Sequence, residues 1–264
     1  MPRVHGSLRL RVALEAPGQA LVRVRQSARG LPREAAPDPQ LNPPPRLPGR
    51  SPGDAGRVGP SALQSARLYI ITPDASPERV VAVATAAARG GADLIQLRHK
   101  SLPRGELLEL ARELRRVVGG ALFIVNDHVD IALLSGANGV HLGPDDLSIA
   151  SARRVAGDRL LIGASASTVD AARSATDAGA DYIGCGPAFA TSIKSQKQVI
   201  GPEGVAAVVN ALPSVPVFAI GGIDESNLGD LTAIGVRRAC VIRAVADAAD
   251  PEAATRRLRA MLTA

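Results

Sequence analysis

Eight short apolar runs punctuate the chain from residue 68 onward: 68–72 (LYIIT), 94–97 (LIQL), 122–125 (LFIV), 140–142 (VHL), 160–163 (LLIG), 181–185 (DYIGC), 216–220 (PVFAI) and 240–242 (CVI). None shows a clean polar–apolar alternation, which is the pattern of parallel strands covered on both faces. Ala-rich amphipathic stretches lie between several of them, at 77–89, 105–118, 147–156 and 169–178, and another at 251–263 closes the chain. Strands alternating with helices in this way predict an α/β fold built on a parallel sheet.

A phrase recurs at a longer period. Gly91-Ala92-Asp93 precedes the second run, Gly136-Ala137-Asn138 the fourth, Gly179-Ala180-Asp181 the sixth, and Gly235-Val236 takes the same place before the eighth. Each predicts an αβ turn in which Gly ends the helix. The phrase falls on alternate units, so the chain divides into four βαβα quarters. Eight strands interleaved with helices predict a closed (β/α)₈ TIM barrel. A doubly wound open sheet is the rival. It usually has fewer strands, and no GxGxxG follows the first run here.

Composition changes sharply near residue 61. Eleven of the 20 prolines lie in residues 1–60, three of them consecutive at Pro43-Pro44-Pro45. The segment from Gly30 to Pro60 has no periodicity and is expected to be disordered or extended. Residues 7–25 do alternate, in L-R-L-R-V-A-L-E and L-V-R-V-R, but two strands alone are marginal. The Arg-rich character of this part admits an organelle-targeting reading and, equally, a mistranslated leader. The expected organisation is an extension over 1–60 and a barrel domain over 61–264.

The net charge of +6 belongs to that extension. Residues 1–67 hold eleven arginines against four carboxylates, a net of +7, while the remainder holds 20 basic and 21 acidic residues, a net of −1. The body therefore carries no global field for nucleic acid. Aromatics are 2% of the chain and Trp is absent, which argues against recognition by base stacking. No uninterrupted apolar stretch of roughly 18 residues reads as a membrane span. Cys185 and Cys240 make neither a disulfide framework nor a CxxC pair. Free buried thiols and a cytoplasmic setting are the expectation, and a homo-oligomer is compatible with the sequence.

In a barrel of this kind chemistry belongs at the C-terminal ends of the strands. The second run ends in Gln96-Leu97-Arg98-His99-Lys100 and the third in Asn126-Asp127. The fourth leads to His141-Leu142-Gly143-Pro144-Asp145-Asp146, the fifth to Gly163-Ala164-Ser165. The sixth leads to Gly184-Cys185-Gly186-Pro187 and then Thr191-Ser192-Ile193-Lys194. The seventh leads to Gly221-Gly222 and the eighth to Ile242-Arg243. Polar ends on so many strands predict one shared pocket.

The residue types suggest what it holds. Arg98 and Lys100 alternate with Leu97 and His99, so both cations can face inward, as a diphosphate requires. Asp127 and Asp146 come from neighbouring strand ends, 19 residues apart, and suit one hard cation. Mg²⁺ held by two carboxylates and substrate phosphate is the common arrangement. No closed His/Cys set points to zinc. Asp145 is the rival to Asp146, and either aspartate of the proposed pair has helix capping as its plain alternative. Gly221-Gly222 after an apolar strand is a second anion feature, because backbone N–H groups can approach a phosphate there. The long segment from Pro187 to Glu203, with Thr191, Ser192, Lys194 and Lys197, has the composition of a lid over charged substrate.

The stretches QLRHK, VNDHVDIAL, GVHLGPDD, GAS, GADYIGCGPAFATSIK and VPVFAIGGI, taken in order, resemble the thiamine phosphate synthase family. The likeness spans about residues 66–262 and none of the extension. It implies a TIM barrel, Mg²⁺ as cofactor, and the joining of 4-amino-2-methyl-5-hydroxymethylpyrimidine diphosphate to a thiazole phosphate with release of diphosphate. By the same resemblance Gln96, Arg98, Lys100 and Asn126 match the pyrimidine diphosphate contacts, and Asp127 and Asp146 the metal ligands. Ser165 and Lys194 match further pyrimidine contacts. Thr191, Ser192, Ile193 and Gly222 match the thiazole phosphate contacts, with Ile242 and Arg243 closing that end. The implied catalytic residues are Arg98, Lys100 and Lys194, stabilising charge on the departing diphosphate. The reaction needs no protein nucleophile, so His99, His128 and His141 are not required as catalysts, and His141 is expected to be structural.

Three departures qualify the resemblance. Ile193 stands where the family commonly has a hydroxyl residue, Arg243 where it usually has Ser, and His99 where strand two usually carries an acid. The diphosphate half matches better than the thiazole half. The rival readings are a thiazole tautomerase-like isomerase, a more general phosphate-binding epimerase or isomerase, and a non-catalytic phosphate-ligand-binding barrel.

Overall fold

The protein is described from a computed structural model covering residues 60–191 and 198–263. Residues 1–59 of the expected 1–60 extension, together with Ser192, Ile193, Lys194 and Lys197, lie outside the described residues, and Pro60 instead opens the first helix. The elements run α1 (Pro60–Ser65), β1 (Leu68–Ile71), α2 (Pro77–Arg89), β2 (Leu94–Leu97), α3 (Arg104–Val117), β3 (Leu122–Asn126), α4 (Val129–Ser135) and β4 (Gly139–Leu142). They continue with α5 (Ile149–Ala156), β5 (Leu161–Ala166), α6 (Val169–Asp177), β6 (Tyr182–Cys185), α7 (Gly201–Ala211) and β7 (Val217–Ile220). The last are α8 (Leu228–Ala233), β8 (Ala239–Val241), α9 (Arg243–Ala246) and α10 (Pro251–Thr263). Every strand pairs in parallel with the next, and β8 pairs with β1 to close the barrel.

The helices begin where their first residues dictate. Ser76 caps α2 by accepting from the Arg79 N–H, Pro77 opens the helix, and Glu78 sits in its first turn. Ser148 and Thr168 cap α5 and α6 in the same way, accepting from Ser151 and Ala171. Along α2, Val80, Val83, Ala84 and Ala87 are buried, one stripe at helical spacing against the sheet.

Two packed regions result. The larger lies between the strands and the helices, around residues such as Ile95, Phe123, Val140 and Ile183. The smaller fills the barrel, where Tyr69, Tyr182 and Phe218 meet edge to face with ring centroids 5.5–5.9 Å apart. Leu63 and Ala66 join this inner group, so α1 and its exit close the barrel from the end where the strands begin. Cys185 and Cys240 are buried thiols outside any disulfide, as expected, and burial pushes Cys185 up to about 12.

Strand five runs past the apolar stretch that marks it in the sequence. Gly163, Ala164 and Ser165 lie within the strand, because β5 runs on to Ala166 and Ser165 pairs with Gly184. The small residues are there because large rings need the room: a Cβ on Gly163 would lie 2.1 Å from the Tyr182 ring. Low hydropathy here marks interior packing against an aromatic side chain.

The repeated Gly-Ala-Asp phrase acquires a physical meaning at the strand starts. Gly91, Gly136, Gly179 and Gly235 all have positive φ, between 70° and 101°, with the helix behind them ended. The acid or amide two residues later turns back to the preceding strand. Asp93 Oδ2 accepts from the Arg67 and Leu68 N–H groups, both at 2.8 Å. Asn138 Oδ1 accepts from Phe123 N–H at 2.8 Å, and Asp181 Oδ2 from Ile162 N–H at 2.7 Å. Arg259 pairs with Asp93, and Arg153 with Asp181. The fourth quarter has Arg237 in this place, a side chain that can only donate.

Candidate active site

The opposite end of the barrel gathers the polar residues. Asp127 follows β3 directly and is the one non-glycine residue with positive φ among those described, at 63°. The His128 N–H bonds to the Asn126 carbonyl at 2.7 Å across it, closing a tight γ-turn, while Asp127 N–H donates to His141 O at 2.9 Å. An L-residue held this way is strained, and such strain collects at functional positions. Asp is among the few side chains that tolerate it.

Asp146 comes to the same place from the segment after β4. Its Oδ2 accepts from Gly143 N–H at 2.7 Å, which turns the carboxylate back toward the strand end. Asp146 is half-buried and hydrogen-bonds Asp127, whereas Asp145 is exposed. The structure therefore separates the two aspartates that the sequence left as rivals. Burial, the hydrogen bond to Asp146 and its charge push the Asp127 carboxyl up to about 6, although Lys100 and Arg98 pull the other way. Two carboxyls and two cations thus face one another at the ends of β2, β3 and β4.

This donor set fits a hard divalent cation. A proton shared between two half-buried carboxyls occupies the position that a cation would take with less repulsion. No group of three or more His, Cys, Asp and Glu residues suited to a metal occurs among the described residues.

Gln96 is 1% exposed, and its Nε2 donates to the Tyr69 hydroxyl, which meets the Tyr182 hydroxyl at 3.0 Å. His141 lies over Tyr182 with ring centroids 5.6 Å apart, and its Nε2 meets Ser165 Oγ at 3.0 Å. Gln96, His141 and Ser165 therefore form a hydrogen-bonding layer on an aromatic floor. His141 is placed to orient the Ser165 hydroxyl. His128 is engaged by Arg104, whose Nη1 donates to Nδ1 at 2.9 Å, and burial first, then Arg104, lowers its pKa.

On the far side, Gly221 and Gly222 both have positive φ. A Cβ on Gly222 would lie 2.4 Å from the Ala190 carbonyl oxygen, and one on Gly221 2.7 Å from Pro187. The glycines are needed so that the loop after β7 can lie against the segment after β6, where Ala188 and Phe189 N–H bond to the Ile220 and Gly221 carbonyls. Asn227 holds this loop by donating to Gly222 O at 2.8 Å and accepting from Asp224 N–H at 3.0 Å. Thr191 is half-buried, and Ser192, Ile193 and Lys194 fall outside the described residues. Ile242 packs on the inner cluster, while Arg243 opens α9 with its side chain exposed.

The sequence reading passed over the end of strand one. Thr72 is 1% exposed and its Oγ1 accepts from Arg98 N–H at 3.1 Å. The signal was present in the polar residue that ends LYIIT. Asn227 carried no such mark, because it lies on the loop before α8, away from any strand end.

The family model described as "Thiamine monophosphate synthase" matches residues 68–245. A protein of Anaeromyxobacter dehalogenans named thiamine-phosphate synthase is 47% identical over 201 residues, covering 75% of this chain and 88% of that one. A protein of the same name from Gloeobacter violaceus is 47% identical over 191 residues, 72% of this chain, but the chain spans only 55% of that longer relative. The solved structure of a thiamine phosphate pyrophosphorylase from Pyrococcus furiosus superposes with a TM-score of 0.69 at 38% identity, covering 75% of this chain and 96% of the other.

Proposed function

The chain belongs to the thiamine monophosphate synthase family, and from that premise we propose that it joins a hydroxymethylpyrimidine diphosphate to a thiazole phosphate at the rim just described. The observation that carries the reading is the meeting of Asp127 and Asp146 with Arg98 and Lys100. Two adjacent anions and two adjacent cations suit a diphosphate bridged to a cation, and they suit a single phosphate poorly.

Asp127 and Asp146 would hold Mg²⁺. Bound there, the ion supplies positive charge to the diphosphate oxygens. Arg98 and Lys100 cradle the same group, and Lys194 acts with them through its place in the matching motif. As the C–O bond breaks, these cations stabilise the charge growing on the leaving diphosphate. The carbocation left behind is stabilised by the electron-rich aminopyrimidine, and the thiazole nitrogen attacks it. Gln96, Asn126 and Ser165 bind and orient the pyrimidine, with Ser165 aimed by His141. The Thr191-Ser192-Ile193 backbone and Gly222 receive the thiazole phosphate, and Ile242 shields that end from water that would trap the cation.

The test is turnover by the full chain with both precursors, in EDTA and then with Mg²⁺ restored. Mg²⁺-dependent formation of thiamine phosphate and diphosphate, one to one, is the expected result. Folded protein that makes neither but interconverts thiazole phosphate tautomers would move the assignment to an isomerase.

A further inference from the structure

The segment that carries Arg98 and Lys100 leaves the barrel at Leu97 and does not reach α3 until Arg104. No strand pairs with it there, yet every second amide in it is held by a side chain. Arg98 N–H donates to Thr72 Oγ1 at 3.1 Å and Lys100 N–H to Asp74 Oδ1 at 3.4 Å. Leu102 N–H donates to His99 Nδ1 at 3.2 Å. His99 also reaches across to the loop after β1, where its Nε2 lies 2.9 Å from the Ala75 carbonyl oxygen. Its side chain is only 7% exposed.

These partners set the ring's two roles. A carbonyl can only accept, so Nε2 donates to Ala75, and a backbone N–H can only donate, so Nδ1 accepts from Leu102. The ring uses both nitrogens at once, one to each loop. Asp74 Oδ1 stands 3.3 Å from Nδ1 and Ser101 Oγ 3.5 Å from it, so they border the ring without replacing either bond. A carboxylate in the place of His99 would accept from Leu102 but could not donate to Ala75.

We propose that His99 is a positioning residue for diphosphate recognition, a brace between two loops that sets where Arg98 and Lys100 stand. The inference rests on the reading that these two cations hold the diphosphate. It goes beyond that reading because His99 itself touches no substrate. Small displacements of a charge clamp cost large factors in rate or affinity, so the brace acts on one substrate and not the other.

The test compares the full wild-type chain with His99→Phe, which keeps the ring and loses both bonds, and His99→Gln, which keeps a donor toward Ala75. His99→Phe is expected to raise KM for the pyrimidine diphosphate about tenfold and weaken product inhibition by inorganic diphosphate by a similar factor. KM for the thiazole phosphate and kcat stay within about threefold. His99→Gln restores at least half of the effect on a logarithmic scale. Equal changes in both KM values, or a lowered melting temperature with neither KM changed, would reduce His99 to a fold brace and overturn the proposal. If His99→Phe does not fold, His99→Gln and His99→Asn carry the comparison, and the diphosphate-selective loss must then be larger in His99→Asn. A wild-type chain that folds but neither turns over nor binds inorganic diphosphate would overturn the functional reading itself.

Discussion

The two ends of this barrel use the same side chain for opposite purposes. At the end where the strands begin, Asp93 and Asp181 each accept from strand amides and pair with an arginine, so their charges are matched. At the end where the strands finish, Asp127 sits in a left-handed turn, and burial first, then its hydrogen bond to another carboxyl, push it up to about 6. One set of aspartates holds the fold together. The other is held in place by it, at a cost in stability. The contrast follows the general division of this architecture, in which one face carries stability and the other chemistry.

The largest effect that would test the contrast is at Asp127. Asp127→Asn is expected to lower Mg²⁺-dependent turnover by about 10²-fold or more, as loss of a preorganised charge does. The same change should stabilise the metal-free protein, because it removes a like-charge contact and Asn tolerates positive φ. After discounting for partial exposure the gain is about 1 kcal/mol, read as a rise in melting temperature of about 3 °C.

Asp93→Ala should do the reverse. Two strand amides and Arg259 lose their partner, a destabilisation of about 2 kcal/mol and a fall in melting temperature of about 5 °C. The value of kcat/KM should stay within about twofold. A large loss of activity in protein that remains folded would break the proposed division between the two ends.

The pH dependence of stability should show the same asymmetry. The folded Asp127 carboxyl titrates near 6, above the 3.8 of a free one, so the native state holds the extra proton between those values. The like-charge penalty is therefore complete above about pH 6, shrinks as the pH falls, and is gone below about 3.8. Denaturation in EDTA should show wild type gaining about 0.5 kcal/mol on Asp127→Asn between pH 8 and pH 5, roughly half of the full penalty. A difference that stays flat over this range would mean the two carboxyls do not share a proton.

The smallest effect is expected at Arg243. Its side chain is exposed at the start of α9, so Arg243→Ser should leave the melting temperature within about 1 °C, as ordinary surface substitutions do. The KM for thiazole phosphate should change by less than about threefold. A tenfold change would give Arg243 a direct part in binding that substrate.

Much of this was open to reading along the chain, for identifiable reasons. Parallel strands covered on both faces must be continuously apolar, so LIQL, LFIV and YIGC mark β2, β3 and β6 without reference to any partner. The αβ turns needed glycine because of their backbone angle, a local demand that Gly91, Gly136, Gly179 and Gly235 display in sequence. The polar ends of successive strands named one rim because closure of a barrel brings all such ends together.

Other features are not local properties, and only the folded chain decided them. Asp145 and Asp146 are neighbours with the same chemistry, and the choice between them depends on which one turns back to Gly143 and meets Asp127. The need for glycine at Gly163 is visible only once Tyr182 occupies the space beside it. Thr72, His99 and Asn227 show their roles only through partners 24–26 residues away for the first two, and through one loop carbonyl for the third. Periodicity and turn chemistry are written within a few residues, and so they determine the elements and the rim on which chemistry occurs. Hydrogen bonds, shared protons and close packing join residues that are distant along the chain, and tertiary structure alone brings those atoms within about 3 Å of each other.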